Sequence, residues 1–199
     1  ESARDQRSSP FCKADSSLDT GAIYQLLKAK GQPNDARATF IWQNSAPPRV
    51  QLFMWLLLRG RIQCRTILLK KNVVQDAVCE VCREAEETPE HIISGCTISK
   101  QFWEKLGFTV IIGMPVDSIH NLTPTSTIPT QEFSTFVAFA CWQLRKARNA
   151  AVFRNELKTQ AQVFAECRNT AMLWRARMPR RKKGVADQWC QLFEMARQP

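Results

Sequence analysis

The chain has 199 residues, a length that suits one domain or one domain with an appended helical part. Its hydrophobic content of 44% is ordinary for a globular protein, and no run of about eighteen apolar residues is present, so no membrane-spanning helix is predicted. The 28 Lys and Arg outnumber the 18 Asp and Glu, and the formal net charge of +10 predicts attraction to polyanions, with nucleic acid first among them.

The first third of the chain reads as a polar extension followed by helices. Residues 1–18 are polar and Ser-rich, and we expect a flexible extension there. The chain begins with neither a methionine nor a signal-peptide pattern, as a fragment of a longer protein would. Helices are predicted from about residue 19 to 30, at 49–58 and at 65–71. The apolar spacing at 49–58 is typical of a central core helix.

A metal-binding pattern follows, which reads C-x2-C-x8-H-x4-C. Its four soft ligands are Cys79, Cys82, His91 and Cys96. Three thiolates and one imidazole suit a tetrahedral zinc ion, and four protein ligands leave no position for a catalytic water. The sequence therefore predicts one structural Zn²⁺ ion. Buried thiols beside a structural histidine, or a disulfide, are the alternatives, and nothing marks the chain as secreted, which disfavours a disulfide.

The residues around these ligands suit a compact site. Thr88 is a good N-cap for a short helix, and Pro89 suits the first helical position, where no N–H is needed. His91 then lies in the first turn. Gly95 is predicted to end this helix in a left-handed conformation and to direct the chain toward Cys96.

The rest of the chain is predicted to be helical apart from one long loop. A helix over about residues 98–106 completes the first part, and residues 113–132 read as a linker or long loop that exposes His120. Three helices are predicted after it. The predicted fold is mainly α, with a zinc-binding helical domain at 19–112 and a C-terminal three-helix part at 133–199, packed on or beside the first.

Basic residues are concentrated in three segments that lack acids, 36–75, 133–155 and 167–186. The Glu-rich segment around the zinc ligands would repel phosphate, so phosphate contacts are expected elsewhere. Such contacts depend on salt and carry no sequence information. The candidates are Arg59, Arg61, Arg65, Lys70, Lys71, Arg175, Arg177, Arg180, Arg181, Lys182 and Lys183. At least four of the six tryptophans are expected in the core, and the others could stack on unpaired bases.

Several ordered pieces of the sequence resemble one known family. They are Phe40-Ile-Trp42, Pro47-Pro-Arg-Val50, Phe53-x-Trp55, Arg59-Gly-Arg-Ile62, Arg65-Thr66, the two cysteines at 79 and 82, Glu87-Thr88-x2-His91, Cys96 and Trp103. Together they resemble the zinc-binding domain that follows the reverse transcriptase of plant LINE-type retrotransposons. Trp142, Ala147-Arg-Asn149-x3-Phe153, Leu173-Trp174 and Trp189 resemble the tail that often follows that domain.

This resemblance implies a helical domain with one structural zinc ion, attached to a retroelement polyprotein or left as a remnant in a host gene. It also implies a role linked to nucleic acid, in which the domain grips element RNA or target DNA near the polymerase. The chain lacks a Tyr-x-Asp-Asp polymerase motif, a spaced Asp/Glu set of the ribonuclease H type and a Gly-rich phosphate loop. We therefore expect no enzyme activity.

Two functions fit the sequence. The first is a non-catalytic zinc-binding accessory module that binds RNA or DNA through its basic surfaces. The second is a domesticated protein–protein interaction module with no nucleic-acid role. An intracellular location is expected, nuclear or cytoplasmic, and the cluster at 180–183 could serve as a nuclear-localisation signal. Loss of a zinc ligand is expected to destabilise residues 60–107 most and to leave the last three helices partly formed.

Overall fold

A computed structural model describes residue 19, residues 21–22, residues 35–109 and residues 113–198. The predicted extension at 1–18 and most of the predicted helix at 19–30 lie outside these residues. The chain divides into two units, residues 1–35 and residues 36–199, and the second contains every element discussed below. Both predicted domain boundaries, near residues 112 and 132, lie inside the second unit.

The described residues are mostly helical, as predicted. The helices are α1 (Ala36–Trp42), α2 (Pro48–Leu58), α3 (Arg65–Lys70), α4 (Thr97–Lys105), α5 (Phe133–Arg154), α6 (Gln160–Arg177) and α7 (Lys183–Arg197). A π turn at His91–Gly95 and 3-10 turns at Val116–Asn121 and Arg180–Lys182 lie between them. In this part of the chain the only β structure is an isolated antiparallel bridge between Val78 and Glu86. None of the described helices has the length and apolarity needed to cross a membrane.

Local sequence explains where these helices begin and end. Helix α2 starts with Pro48 in its first turn, where the missing N–H is tolerated, and the chain leaves it through Gly60 at a φ of 62°. Helix α6 begins with a capping box, in which the Thr159 hydroxyl and the Gln162 side chain each accept a backbone N–H of the other residue. These signals are local, which is why the predicted bounds are close to the observed ones.

Helix α5, rather than α2, forms the centre of the structure. It has 22 residues, of which 13 are buried, and they lie around the whole circumference of the helix. Helix α2 buries one face, which carries Val50, Phe53, Met54, Leu57 and Leu58. The expectation that α2 is the central helix is therefore wrong, because a strongly apolar sequence does not by itself show how many sides of a helix are covered.

One apolar core runs from Ile41 in α1 to Ala196 in α7. Aromatic rings fill its C-terminal half, where Phe139 of α5 lies 4.9 Å from Trp174 and 5.6 Å from Phe193, centroid to centroid. Three tryptophans are buried and two more, Trp55 and Trp142, pack against the core from outside. Five of the six tryptophans therefore contribute to packing, in line with the prediction for at least four.

The segment from 113 to 132 is a packed loop. Its 3-10 turn places Val116 and Ile119 in the core, and Leu122 and Ile128 are buried as well. His120 is half-buried, and its Nδ1 lies 2.7 Å from the carbonyl oxygen of Asp117. The loop thus connects α4 to α5 and also covers part of the core.

Candidate metal centre

A tight turn carries the first two candidate ligands, Cys79 and Cys82. The chain enters and leaves this turn through the Val78–Glu86 bridge. Inside it the Cys79 N–H donates to the carbonyl of Ala85 at 2.9 Å, and the Arg83 N–H donates to the carbonyl of Cys79 at 2.8 Å. Arg83 adopts a left-handed φ of 58°, which reverses the chain directly after Cys82. Both sulfur atoms consequently face the same side of the turn.

A π turn carries His91 and leads directly to Cys96. The Thr88 hydroxyl accepts the His91 N–H at 3.0 Å, so Thr88 caps this segment as predicted. The Cys96 N–H donates to the His91 carbonyl at 2.7 Å, and this i to i+5 bond sets the spacing between the two ligands. Two carbonyls of the turn are satisfied by α4, since Ile92 accepts from Ser99 Oγ at 2.6 Å and Ile93 accepts from Trp103 Nε1 at 2.7 Å.

The predicted role of Gly95 is wrong, although the contacts of this residue favour glycine for another reason. Left-handed glycines among the described residues are Gly60, Gly107 and Gly113, and Gly95 lies within the π turn instead. A Cβ atom at Gly95 would lie 3.2 Å from His91 Nδ1. Glycine suits this position because a larger residue would press on the His91 ring.

The structure brings all four candidate ligands together. The three Sγ atoms and one imidazole nitrogen lie within 4.8 Å of one another, and Cys82 Sγ is 3.3 Å from His91 Nε2. A tetrahedral zinc ion with Zn–S bonds of about 2.3 Å holds its sulfur atoms about 3.8 Å apart, so the donor set fits zinc in number, type and spacing. Cys79, His91 and Cys96 are buried and Cys82 is half-buried.

A hydrogen bond between Cys79 and Cys96 shifts the pKa values of these two thiols in opposite directions. A hydrogen bond from Cys96 lowers the pKa of Cys79 to about 3, although burial acts in the opposite direction. The same bond, together with burial, raises the pKa of Cys96. The shared hydrogen bond thus favours the thiolate form of Cys79 over that of Cys96, and a bound cation would displace the remaining proton.

A buried ion pair fixes this segment to the central helix. Glu87 is fully buried, and its carboxylate accepts Arg148 Nε at 2.8 Å and the Arg65 backbone N–H at 2.9 Å. A second hydrogen bond joins Arg148 Nη2 to the same carboxylate. Glu87 belongs to the Glu-rich segment that the sequence predicts to repel phosphate. Its charge is instead neutralised inside the protein by a residue of α5, 61 positions away.

Arg65 supports the same segment from the other side and is not an exposed phosphate ligand. Its guanidinium donates to Asp76 at 2.9 Å and also bonds Glu80, and 13% of its side chain is exposed. The hydrogen bond from Arg65 lowers the pKa of Asp76. Thr66, the next residue, donates its hydroxyl to the Glu87 carbonyl at 3.0 Å. Arg65 and Thr66 thus hold the approach to the cysteine turn.

Three other predicted phosphate ligands have intramolecular partners. Arg175 bonds Asp187 at 2.6 Å, Lys182 pairs with Glu132 and bonds Ser45 Oγ at 2.8 Å, and the Arg59 guanidinium lies 3.8 Å from the centroid of the Trp55 ring. The remaining candidates are exposed, apart from half-buried Lys183. They are Arg61, Lys70 and Lys71 near α3, and Arg177, Arg180, Arg181 and Lys183 near the junction of α6 and α7. Their role in phosphate contact stays a prediction.

Comparison with known proteins agrees with this geometry. Residues 19–103, which include all four candidate ligands, match a family model described as zinc-binding in reverse transcriptase. The resemblance drawn from the sequence is thereby confirmed for this segment. The segment contains α1 to α3, the cysteine turn and the π turn. The family description names zinc binding and no catalytic step.

The chain is also similar to a protein of Arabidopsis thaliana that is named, provisionally, as a ribonuclease H protein. The two are 24% identical over 107 residues, which are 52% of this chain and 17% of that relative. The similarity therefore covers about one sixth of the relative's length. No solved structure shows significant similarity to the chain.

Proposed function

We propose that this protein is a non-catalytic accessory module that carries one structural zinc ion and binds nucleic acid through its basic surfaces. The match to the zinc-binding family of reverse transcriptase supports the zinc part. We further propose that the module derives from a plant LINE-type retroelement, an origin supported by the similarity to a plant protein. The observation that carries the proposal is the closed set of three thiols and one imidazole.

This donor set supports a structural role. When bound, zinc would supply a rigid four-coordinate link between sulfur and nitrogen ligands and would leave no open position for a substrate. The ligands come from two separate local structures, the cysteine turn and the π turn. Each turn is short, and the link would hold one against the other and so fix the approach of Glu87 to Arg148. Catalysis at such a centre is not expected.

The charge of the exposed surface supports nucleic acid as the partner. Three acidic residues of the zinc segment and its approach form ion pairs, namely Asp76, Glu80 and Glu87. The seven exposed or half-buried cations near α3 and near the α6–α7 junction have no ion pair among the described residues. Side chains of this type contact phosphates at low energetic cost, because no existing ion pair has to be broken.

The test is direct binding measured across a salt series. Purified protein loaded with zinc is titrated into labelled RNA and DNA oligonucleotides between about 50 and 200 mM salt. Contact with about six phosphates would lower the affinity about 10³-fold over this range. In a plot of the logarithm of the affinity against the logarithm of the salt concentration, the double variant Lys70→Gln/Lys71→Gln would reduce the magnitude of the slope by about 0.7 to 0.9 for each phosphate contact it removes. Absence of binding, or affinity that does not change with salt, would refute the proposal.

A protein partner is the second candidate. Large apolar side chains are exposed on the C-terminal helices, with Leu173 at 70% and Phe153 at 72% exposure. Such side chains are compatible with a protein interface. If the protein ignores all oligonucleotides but binds a defined protein with an affinity that Leu173→Gln reduces, the interaction module replaces the nucleic-acid module. A nuclear location, supported by the basic cluster at 180–183, is proposed for the nucleic-acid-binding module and for the protein-interaction module alike.

A further inference from the structure

The outward face of α2 carries a mixture of aromatic and cationic side chains, of which the phosphate prediction included only Arg59. Arg49, Leu52, Trp55 and Arg59 recur every three or four residues, so they share one face, opposite the buried one. Leu52 is 53% exposed, and Arg49 and Arg59 are exposed as well. This face is therefore presented to solvent with two guanidinium groups and an indole.

Neighbouring helices extend this surface on both sides. On one side Trp42, at the end of α1 and 49% exposed, lies 5.9 Å from Trp55. On the other side Trp142 of α5 lies beneath Arg49, whose guanidinium is 5.9 Å from the ring centroid, and Arg145 lies 5.3 Å from the same ring. We call this surface the Arg/Trp face. Its members are Trp42, Arg49, Trp55, Arg59, Trp142 and Arg145.

The positive charge of this face is not compensated locally. The two sequence segments that form it, 36–75 and 133–155, contain no Asp or Glu. Among the described residues, no carboxylate forms an ion pair with Arg49, Arg59 or Arg145. Glu90 and Asp117 share a surface pocket with Arg59, but neither is ion-paired with it. The pKa of Arg145 is lowered by burial and by the nearby charge of Arg148.

We propose that the Arg/Trp face binds an unpaired strand of nucleic acid, whose bases stack on the indole rings while the arginines contact its phosphates. This inference deepens the proposed function and rests on it, because it assigns the strand type and the binding surface. Aromatic rings alternating with cations are the arrangement that proteins use for single strands. In a duplex the base faces are covered by their neighbours, so exposed indoles have no stacking partner there.

The alternative explanation for these contacts is internal, since a guanidinium over an indole also stabilises a folded surface slightly. That explanation accounts for each pair separately. It does not account for the absence of acidic residues from both segments, or for the exposed indole of Trp42, which contacts the half-buried ring of Trp55 at the edge of the face. A strand of phosphates and unpaired bases complements both features at once.

The test compares two variants that each remove two positive charges. Zinc-loaded protein is titrated with a labelled 20-nucleotide oligo(U), with oligo(dT) and with a duplex of the same length. The variant Arg49→Gln/Arg59→Gln is expected to lower single-strand affinity about 10-fold or more. Lys70→Gln/Lys71→Gln is the matched control. We expect it to lower single-strand affinity less than Arg49→Gln/Arg59→Gln does. Comparable circular dichroism and melting temperatures establish that both variants are folded.

Two further variants separate stacking from charge. Trp42→Ala is expected to lower single-strand affinity about 5-fold or more, which is the lower end of the range for loss of one base–aromatic contact. Arg49→Lys/Arg59→Lys keeps the charge and is expected to retain the salt slope while losing affinity, because an ammonium group does not stack as a guanidinium does. Preference for the oligo(U) or the oligo(dT) arm would assign the strand to RNA or DNA.

The outcomes distinguish this inference from the proposed function. In one outcome the wild type binds with a steep salt dependence, the variants of the Arg/Trp face bind single strands as tightly as the wild type, and the Lys70/Lys71 variant binds more weakly. This outcome refutes the Arg/Trp face and leaves the accessory module standing. Tighter binding of the duplex than of either single strand refutes the inference in the same way. If the wild type binds no oligonucleotide, both are refuted.

Discussion

The buried pair between Glu87 and Arg148 offers the sharpest test of how the metal-binding segment is attached to the fold. Glu87 is fully buried and Arg148 is 8% exposed. The substitution Arg148→Met keeps most of the side-chain length but removes the cation, which leaves a buried carboxylate without a counter-charge. Breaking a buried pair in this way costs about 3–5 kcal/mol. For a chain of this size that loss lowers the melting temperature by about 6–20 °C.

A second substitution shows whether the loss arises from the stranded charge. Glu87→Gln retains an oxygen that can accept the Arg65 backbone N–H, so the double variant Arg148→Met/Glu87→Gln is expected to recover a substantial part of the lost stability. Arg154→Met is the matched control on the same helix, since the Arg154–Glu156 pair is about half exposed and contributes about 0–1 kcal/mol. The assay is urea unfolding of zinc-loaded protein, followed by circular dichroism. If Arg148→Met costs no more than Arg154→Met, or the double variant is less stable than Arg148→Met, the reasoning is wrong.

Three further predictions concern the metal centre and its surroundings. Cys79→Ser is expected to abolish stoichiometric zinc binding and to speed hydrogen exchange most within residues 60–107, and equal acceleration in α6 and α7 would contradict this. Gly95→Ala is expected to weaken zinc binding about 10-fold by displacing the His91 ring, whereas Gly184→Ala, with open space around it, leaves affinity unchanged in a competition assay with a chelating dye. The Glu132 pKa is lowered below its ordinary 4.5 because hydrogen bonds from Lys182 and other donors outweigh the effect of burial. The stabilisation by Glu132 is therefore present above about pH 4.5 and is lost as pH falls through the lowered value, so the gap in unfolding free energy between wild type and Glu132→Gln should close in acid.

The parts of the structure that could be predicted are those that depend on residues close together in the sequence. The four candidate ligands lie within eighteen positions, and Thr88 caps the segment through a hydroxyl three residues before His91. Helix ends such as Gly60 and the Thr159 capping box follow from local conformational preferences. These signals do not depend on the rest of the fold, so the sequence reveals them.

The parts that could not be predicted depend on which distant residues meet. Nothing near Glu87 shows that Arg148 will neutralise it, and nothing near Arg65 separates an arginine that binds Asp76 from one that faces solvent. Likewise Arg49 and Trp142 are 93 residues apart, so the Arg/Trp face cannot be recognised from the sequence and becomes apparent only when the packing of α2 against α5 is known. The π turn was missed because a single extra residue per turn leaves no compositional signal.

The distance along the chain between the candidate ligands and Arg148 also bears on how the protein is made. All four ligands emerge from the ribosome about fifty residues ahead of Arg148, an interval of roughly 3–10 s at ordinary elongation rates. During this time the nascent segment can already capture its ion, while the carboxylate of Glu87 still lacks its guanidinium and stays hydrated. Metal capture would thus precede docking onto α5, and a shortage of zinc during synthesis would affect folding before α5 has fully emerged.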